Sequence, residues 1–199
     1  GSFSYPFFRI ETTFWRFKYV NLWTQMYDIR NSAAISPGNF ARKYLSSHYL
    51  SININSRLNF SVFESIMMGD TSQQEGLDAS FLNPIIFYRP VEFAVGSTNG
   101  NALLGAAFSY KTFDKQLLYG QFVLDEFQLS SILAQEGSWV NKYGFQLGYK
   151  WYDAFNIKGL FQRFEYNTAR PHTYHHREVL TNYAHSGSPL AQPWGANFH

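Results

Sequence analysis

The chain predicts an all-β protein, for which an antiparallel transmembrane β-barrel is one architecture left open, on three observations. Aromatic and aliphatic residues alternate with polar ones over many short segments, which is the two-residue period of a strand with unlike faces. Of 199 residues 45% are hydrophobic and 20% aromatic, yet the mean hydropathy is -0.28, so apolar side chains are interleaved rather than blocked together. Tight joins between some segments contrast with long excursions between others, the asymmetry of outer-membrane barrels. No apolar run approaches the ~18 to 20 residues of a spanning helix, and a closed barrel is the other structure that satisfies every backbone group in lipid.

Taken in chain order, Thr13 to Asn21 sets Trp15, Phe17 and Tyr19 against Arg16 and Lys18 and reads as one strand. Leu50, Ile52 and Ile54, then Leu58, Phe60 and Val62, alternate with Ser and Asn and flank Asn55-Ser56-Arg57, a short hairpin turn. After the polar stretch Asp70 to Ser80, Leu82 to Phe93 is apolar but carries Pro84 and Pro90, which a central ladder tolerates poorly; it reads as a bent segment packed inside the barrel or at its rim. Ala102 to Lys111 presents Leu104, Ala106, Phe108 and Tyr110 on one face and a face rich in small residues on the other. Thr112 to Lys115 turns into Gln116 to Phe127, where Leu118, Phe122 and Leu124 oppose Gln121 and Asp125.

Gln128 to Trp139 breaks the period, and Ser130 to Gln135 is either a short helix or part of a long loop. In Tyr143 to Tyr152, Phe145, Leu147, Tyr149 and Trp151 face away from Gln146, Gly148 and Lys150. Asp153-Ala154 then turns into a strand from Phe155 to Asn167 with Arg163 and Glu165 on one face, and Glu178 to His185 is a last alternating segment. The count is nine or ten strands. Trp23, Trp139, Trp151 and Tyr152 are placed in the interfacial girdles. The same alternation also fits a soluble β-sandwich or a lipocalin-like barrel, because periodicity does not say where the apolar face points.

Composition narrows the chemistry. There is no cysteine, hence no disulfide, thiolate metal site or cysteine nucleophile. A net charge of +2 spread along the chain lacks the clustered basic stripe of a nucleic-acid binder. Asp125 and Glu126 are neighbours on a strand and point to opposite faces, unlike a glycosidase pair, and no nucleophile-elbow, phosphate-loop or dinucleotide fingerprint occurs. His172, His175 and His176 supply metal-ligand types without a recognised spacing. The expectation is therefore a non-enzymatic protein with no cofactor and no metal.

Arg170, His172, Tyr174, His175, His176 and His185 form the densest polar aromatic cluster, of a kind that stacks on sugar rings and bonds their hydroxyls; folded-loop packing around Pro171, Pro189 and Pro193 explains the same residues. Arg163 and Glu165 bind sugar hydroxyls from a lumen on one reading and form an ion-pair ladder on the other.

Three stretches carry a resemblance. Phe164-Glu165-Tyr166-Asn167 runs into Arg170-Pro171-His172-Thr173-Tyr174-His175-His176. Asn182-Tyr183-Ala184-His185 is followed by Pro189-Leu190 and Pro193-Trp194-Gly195-Ala196-Asn197. Leu82-Asn83-Pro84 precedes Tyr88-Arg89-Pro90-Val91-Glu92 and Asn101-Ala102-Leu103-Leu104-Gly105. Together, over residues 82 to 198, they resemble the Wzi family of capsule-assembly outer-membrane proteins, especially its Bacteroidota branch with gliding-motility proteins of the RemB type. Gln192 stands where that family often has His, and Ser186 where it has Tyr or Asn, so no role that needs those side chains is carried over.

The resemblance implies an eighteen-stranded barrel in the outer membrane of a Gram-negative bacterium. Residues 1 to 199 would then be a single segment, about half of that barrel and a piece of a longer chain whose export signal is removed or lies elsewhere. The implied partners are surface or capsular polysaccharide, outer-membrane lipid and cell-surface assembly proteins. Arg163, Glu165, Arg170, His172, Tyr174 and His185 are the expected polysaccharide ligands. The other reading is a soluble secreted β-sandwich that binds carbohydrate.

Overall fold

A computed structural model describes residues 4–28, 41–69, 79–88, 100–125, 142–170, 173, 181–186 and 188–190. These form one open antiparallel sheet of eight strands in sequential order: β1 (Phe7–Phe14), β2 (Phe17–Asp28), β3 (Ala41–Asn53), β4 (Leu58–Gly69), β5 (Gly100–Phe113), β6 (Gln116–Asp125), β7 (Lys142–Tyr152) and β8 (Phe161–Ala169). A separate two-stranded ladder pairs β9 (Ala184–His185) with β10 (Ser188–Pro189). The expected all-β class holds, with eight long strands and two short ones among the described residues.

Connection length separates the two ends of the sheet. Four hairpins close at one end, after Phe14, Asn53, Phe113 and Tyr152, and the longer connections leave from the other. Each hairpin has its own local device. Asn55 Oδ1 accepts from the Arg57 and Leu58 amides at 2.8 and 2.9 Å, the side-chain mimic of a turn that Asn favours. Between β7 and β8, Asp153 Oδ1 accepts the Gly159 amide at 2.7 Å, while Oδ2 pairs with Lys115 of the neighbouring hairpin at 2.9 Å. Those two bonds hold the Asp153 carboxyl below the usual carboxylate range, the Gly159 amide contributing most.

Three expected elements are corrected. Thr13 to Asn21 is two strands joined at Trp15 and Arg16, with Phe14 opposite Phe17. Trp15 takes a φ of 51°, uncommon for a bulky residue, and is supported by the Arg16 guanidinium over its ring and by Arg16 Nη1 donating to Ile54 O at 2.9 Å. The turn after β7 spans eight residues and includes a 3₁₀ turn at Ala154–Asn156, so β8 begins at Phe161 instead of Phe155. Residues 79–88, with a 3₁₀ turn at Ala79–Leu82, pack neither inside nor at a rim: they lie on the apolar face over β2 to β4, where Trp23 Nε1 donates to Phe81 O at 3.2 Å. Trp23 is consequently buried and belongs to no girdle. Trp139, Glu126, the stretch from Gln128 to Gln135 and residues 89–93 lie outside the described residues.

Register assigns each side chain to a face, since residues directly opposite in an antiparallel pair share one. The polar face carries Asp28, Lys43, Ser47, Ser51, Asn59, Ser61, Asn101, Gln121, Asp125, Gln146, Arg163 and Glu165. The apolar face carries Phe60, Val62, Leu104, Phe108, Phe122, Phe145, Leu147, Phe164 and Tyr166.

The polar face holds one buried cluster, and Trp23, Ile66 and Phe81 are buried on the other face. Met26, Met67, Leu103 and Val123 surround Tyr183, brought down by residues 181–190. The Tyr183 hydroxyl sits 2.6 Å from Ser65 O and 3.1 Å from Asn101 O, and complete burial raises its pKa well above the ordinary tyrosine value. Buried Lys43 reaches Asn182 O at 3.0 Å and Asp28 at 3.4 Å. Past the start of β1 the free edge of β2 is taken up by the same segment: Ser186 N donates to Tyr27 O at 2.9 Å, and the Tyr27 amide donates to His185 Nδ1 at 3.2 Å. Residues 181–186 and 188–190 thus plug the long-connection end of the polar face and pair backbone groups that burial would leave unmet.

Candidate functional site

Beyond the plug, the polar face of β6 to β8 stays open. Gly148 stands opposite Tyr119 on one side and Glu165 on the other. A Cβ on Gly148 would lie 2.2 Å from the Tyr119 ring, so the missing side chain is what lets that ring lie flat across β7. The Tyr119 hydroxyl reaches over Gly148 and donates to Glu165, which also accepts Asn167 Nδ2 at 2.9 Å. Lys150 Nζ is 4.9 Å from the Tyr119 ring centroid, in cation–π range. Lys150 also faces Arg163 directly in register. The patch is therefore a partly exposed ring held edge to edge with one carboxylate, two cations and the amides of Gln121, Gln146 and Asn167.

A cavity of about 300 Å³ adjoins it, with Phe63, Leu103 and Val123 as apolar lining, Gln121, Gln146 and Asn167 as amide lining, and Leu190 of the plug at its margin. Its shape depends on a second glycine. Gly105 stands opposite Phe63, and a Cβ there would lie 2.2 Å from that ring. Both glycines thus place an aromatic ring face-on beside hydrogen-bonding side chains, an arrangement suited to a ligand with apolar faces and hydroxyl edges.

The expected site residues do not converge. Arg163 and Glu165 share the patch, and Glu165 is engaged by Tyr119 and Asn167 more than as a simple ladder partner. Arg170 lies past the end of β8, its guanidinium 5.7 Å from the Tyr143 ring centroid. His185 is buried against β2, its Nδ1 accepting a backbone amide, with Tyr5 packed edge-on at 5.3 Å. It holds the plug rather than facing a ligand. Burial, and secondarily the Lys43 ammonium, lowers its pKa and favours the neutral ring that this acceptor role needs. His172, Tyr174, His175 and His176 lie outside the described residues. Among the described residues no group of three His, Asp or Glu side chains is placed to hold a metal ion.

Tyr119, Gln121, Gln146, Lys150 and Phe63 were missing from the expected site. The signal for them was Gly105 and Gly148 within strands, each marking a large side chain lying across the neighbouring strand. No protein-family model, curated protein or solved structure matches this chain.

Proposed function

We propose that the chain is part of an outer-membrane β-barrel of the Wzi/RemB type, non-enzymatic, with the polar face toward the lumen and a role in attaching surface or capsular polysaccharide and in cell-surface assembly, including gliding. One observation carries the reading. Polar-face side chains such as Lys43, Asn101 and Asp125 are buried, while on the apolar face of β7 and β8 Leu147 is 40%, Phe164 63% and Tyr166 64% exposed. A water-soluble sandwich buries its apolar face; a barrel in lipid presents it outward.

Further support comes from the hairpin end, where Phe14, Trp15, Phe113 and Phe155 are exposed, as in an interfacial aromatic belt. The open sheet leaves β1 and β8 unpaired with each other, consistent with further strands completing a barrel near twice this size. The ligand surface would be the Tyr119 patch and its cavity. Its two cations against one carboxylate favour a polysaccharide bearing acidic groups.

A second reading, a soluble secreted sandwich that binds carbohydrate, draws on residues 79–88, which cover part of the apolar face as a second layer would. The two are separated by fractionating the full-length protein and comparing its gel mobility before and after boiling. A detergent-extracted band that shifts on boiling, and that binds acidic surface polysaccharide less well after Tyr119→Ala, is expected. A soluble, unshifted band refutes the barrel.

A further inference from the structure

Register divides the open polar face of β5 to β8 into successive rows, each two residues and about 7 Å along the strands from the next. The row nearest the plug is apolar: Val123 stands between Gly105 and Gly144, and the Phe63 ring lies across Gly105. Next come the amides of Gln121, Gln146 and Asn167, opposite one another on adjacent strands. The third row holds the Tyr119 ring, which lies over Gly148 and donates its hydroxyl to Glu165. The row nearest the hairpins sets Lys150 against Arg163, with Lys111 two strands away. Both rings cross their glycines in the direction of β8. The chemistry of the face therefore changes in one direction along the strands, from apolar to amide to ring to cation.

Like charges directly opposite on a sheet destabilise it, and the carboxylate of the neighbouring row, Glu165, is already engaged by the Tyr119 hydroxyl and Asn167 Nδ2. Lys150 and Arg163 are thus relieved by an acidic group that a ligand brings. Lys150 Nζ is also 4.9 Å from the Tyr119 ring centroid, so that acidic group and a sugar face stacked on Tyr119 belong to the same unit. At the other end, Gly105, Val123, Gly144 and Ala169 offer no charge, and the Phe63 ring suits the apolar face of a neutral sugar. A cavity of about 300 Å³ connects Phe63 with the three amides. First row to last is about 20 Å, more than one sugar ring spans. We infer, resting on the reading that this face binds acidic polysaccharide, that it takes several linked sugars along the strands in one fixed direction. An acidic unit sits on Tyr119 beside Lys150 and Arg163 at the hairpin end, a neutral unit sits on Phe63 at the plug end, and the amides bond the hydroxyls between them.

Hyaluronan oligosaccharides of two and six sugars alternate acidic and neutral units, and the carboxyl-reduced hexasaccharide is their uncharged counterpart. Each is titrated calorimetrically into the full-length protein in detergent. The hexasaccharide should bind about tenfold more tightly than the disaccharide, and reduction of its carboxyls should cost about tenfold. Phe63→Leu keeps an apolar side chain against the buried cluster but removes the ring, so the two lengths should then bind alike. Lys150→Met with Arg163→Met should bind the native and carboxyl-reduced hexasaccharides alike. Equal affinity of the parent for both lengths, indifference of the parent to carboxyl reduction, or a length gain that survives Phe63→Leu overturns the inference and leaves the polysaccharide reading standing. Failure of the parent to bind either native oligosaccharide overturns the polysaccharide reading of this face and the inference with it. Should a variant fail to fold, the parent still decides, through its response to length and to carboxyl reduction.

Discussion

The two faces of this sheet are built from the same strands and obey opposite rules. The polar face is packed where the plug covers it: methionines, Leu103 and Val123 close around Tyr183, and Lys43 and Asp28 are buried together. The apolar face of β6 to β8 is bare, and Phe108 folding over Gly120 is among its few close contacts across strands. Burial here follows what each face is required to meet rather than side-chain polarity. A polar surface can be filled when a segment brings partners for its hydrogen bonds, and an apolar one can stay open when its solvent is itself apolar.

Removing the centre of the filled face should have the largest effect. Tyr183→Ala empties the core cluster and removes its hydroxyl's contact with the strand carbonyls, so a loss of about 3–5 kcal/mol is expected in urea unfolding, whereas Phe164→Ala on the bare face should cost under about 1 kcal/mol. Similar losses at the two sites would erase the contrast. Next comes the charge test. Leu147→Arg should cost about 2–4 kcal/mol in a bilayer near its midplane, and Gln146→Arg, one residue away on the polar face, less than about 1 kcal/mol.

Gly148→Ala sharpens the comparison within the polar face. The added methyl meets the Tyr119 ring, so about 1–3 kcal/mol of overpacking is expected, relieved by pairing it with Tyr119→Ala, as a double-mutant cycle would show. The smallest effect is a pH dependence of the plug. His185 titrates lower in the folded state than when free, so the unfolded chain takes up its proton first; the stability from neutral His185 is complete above the ordinary histidine range and is lost as pH falls toward the folded value. Lys43, Asp28 and Asp125 are charges on the strands that the plug covers. Hydrogen exchange at the Tyr27 amide should accelerate between neutral and mildly acidic pH, and His185→Asn should abolish that dependence.

Strands whose alternation runs unbroken were legible in the sequence. Phe145, Leu147, Tyr149 and Trp151 share a face as expected, and the hairpin at Asn55 to Arg57 carries the asparagine that its turn uses. The hairpin at Trp15 was hidden because nothing there looks like a turn: a tryptophan occupies the positive-φ position, and the stabilising contacts come from Arg16 and the next hairpin. The site was only half legible. Arg163 and Glu165 share a strand face by period alone, but Arg170 sits past the end of β8 against Tyr143, and His185 is carried to β2 by the segment that brings Tyr183 onto β4 and β5. The place of residues 79–88 was not legible from Pro84, since what holds them is Tyr19, Trp23 and Tyr44, on strands far from them in sequence.

The central claim is that the apolar face meets lipid while the polar face meets water. Single cysteines at Leu147 and Gln146, each carrying an environment-sensitive fluorophore in the full-length protein reconstituted into vesicles, test it with two quenchers, one confined to the acyl chains and one to water. The account predicts a blue-shifted probe at 147 quenched from the lipid, and a red-shifted probe at 146 quenched only from water. Aqueous quenching at both positions, with no response to the lipid quencher at 147, would contradict it.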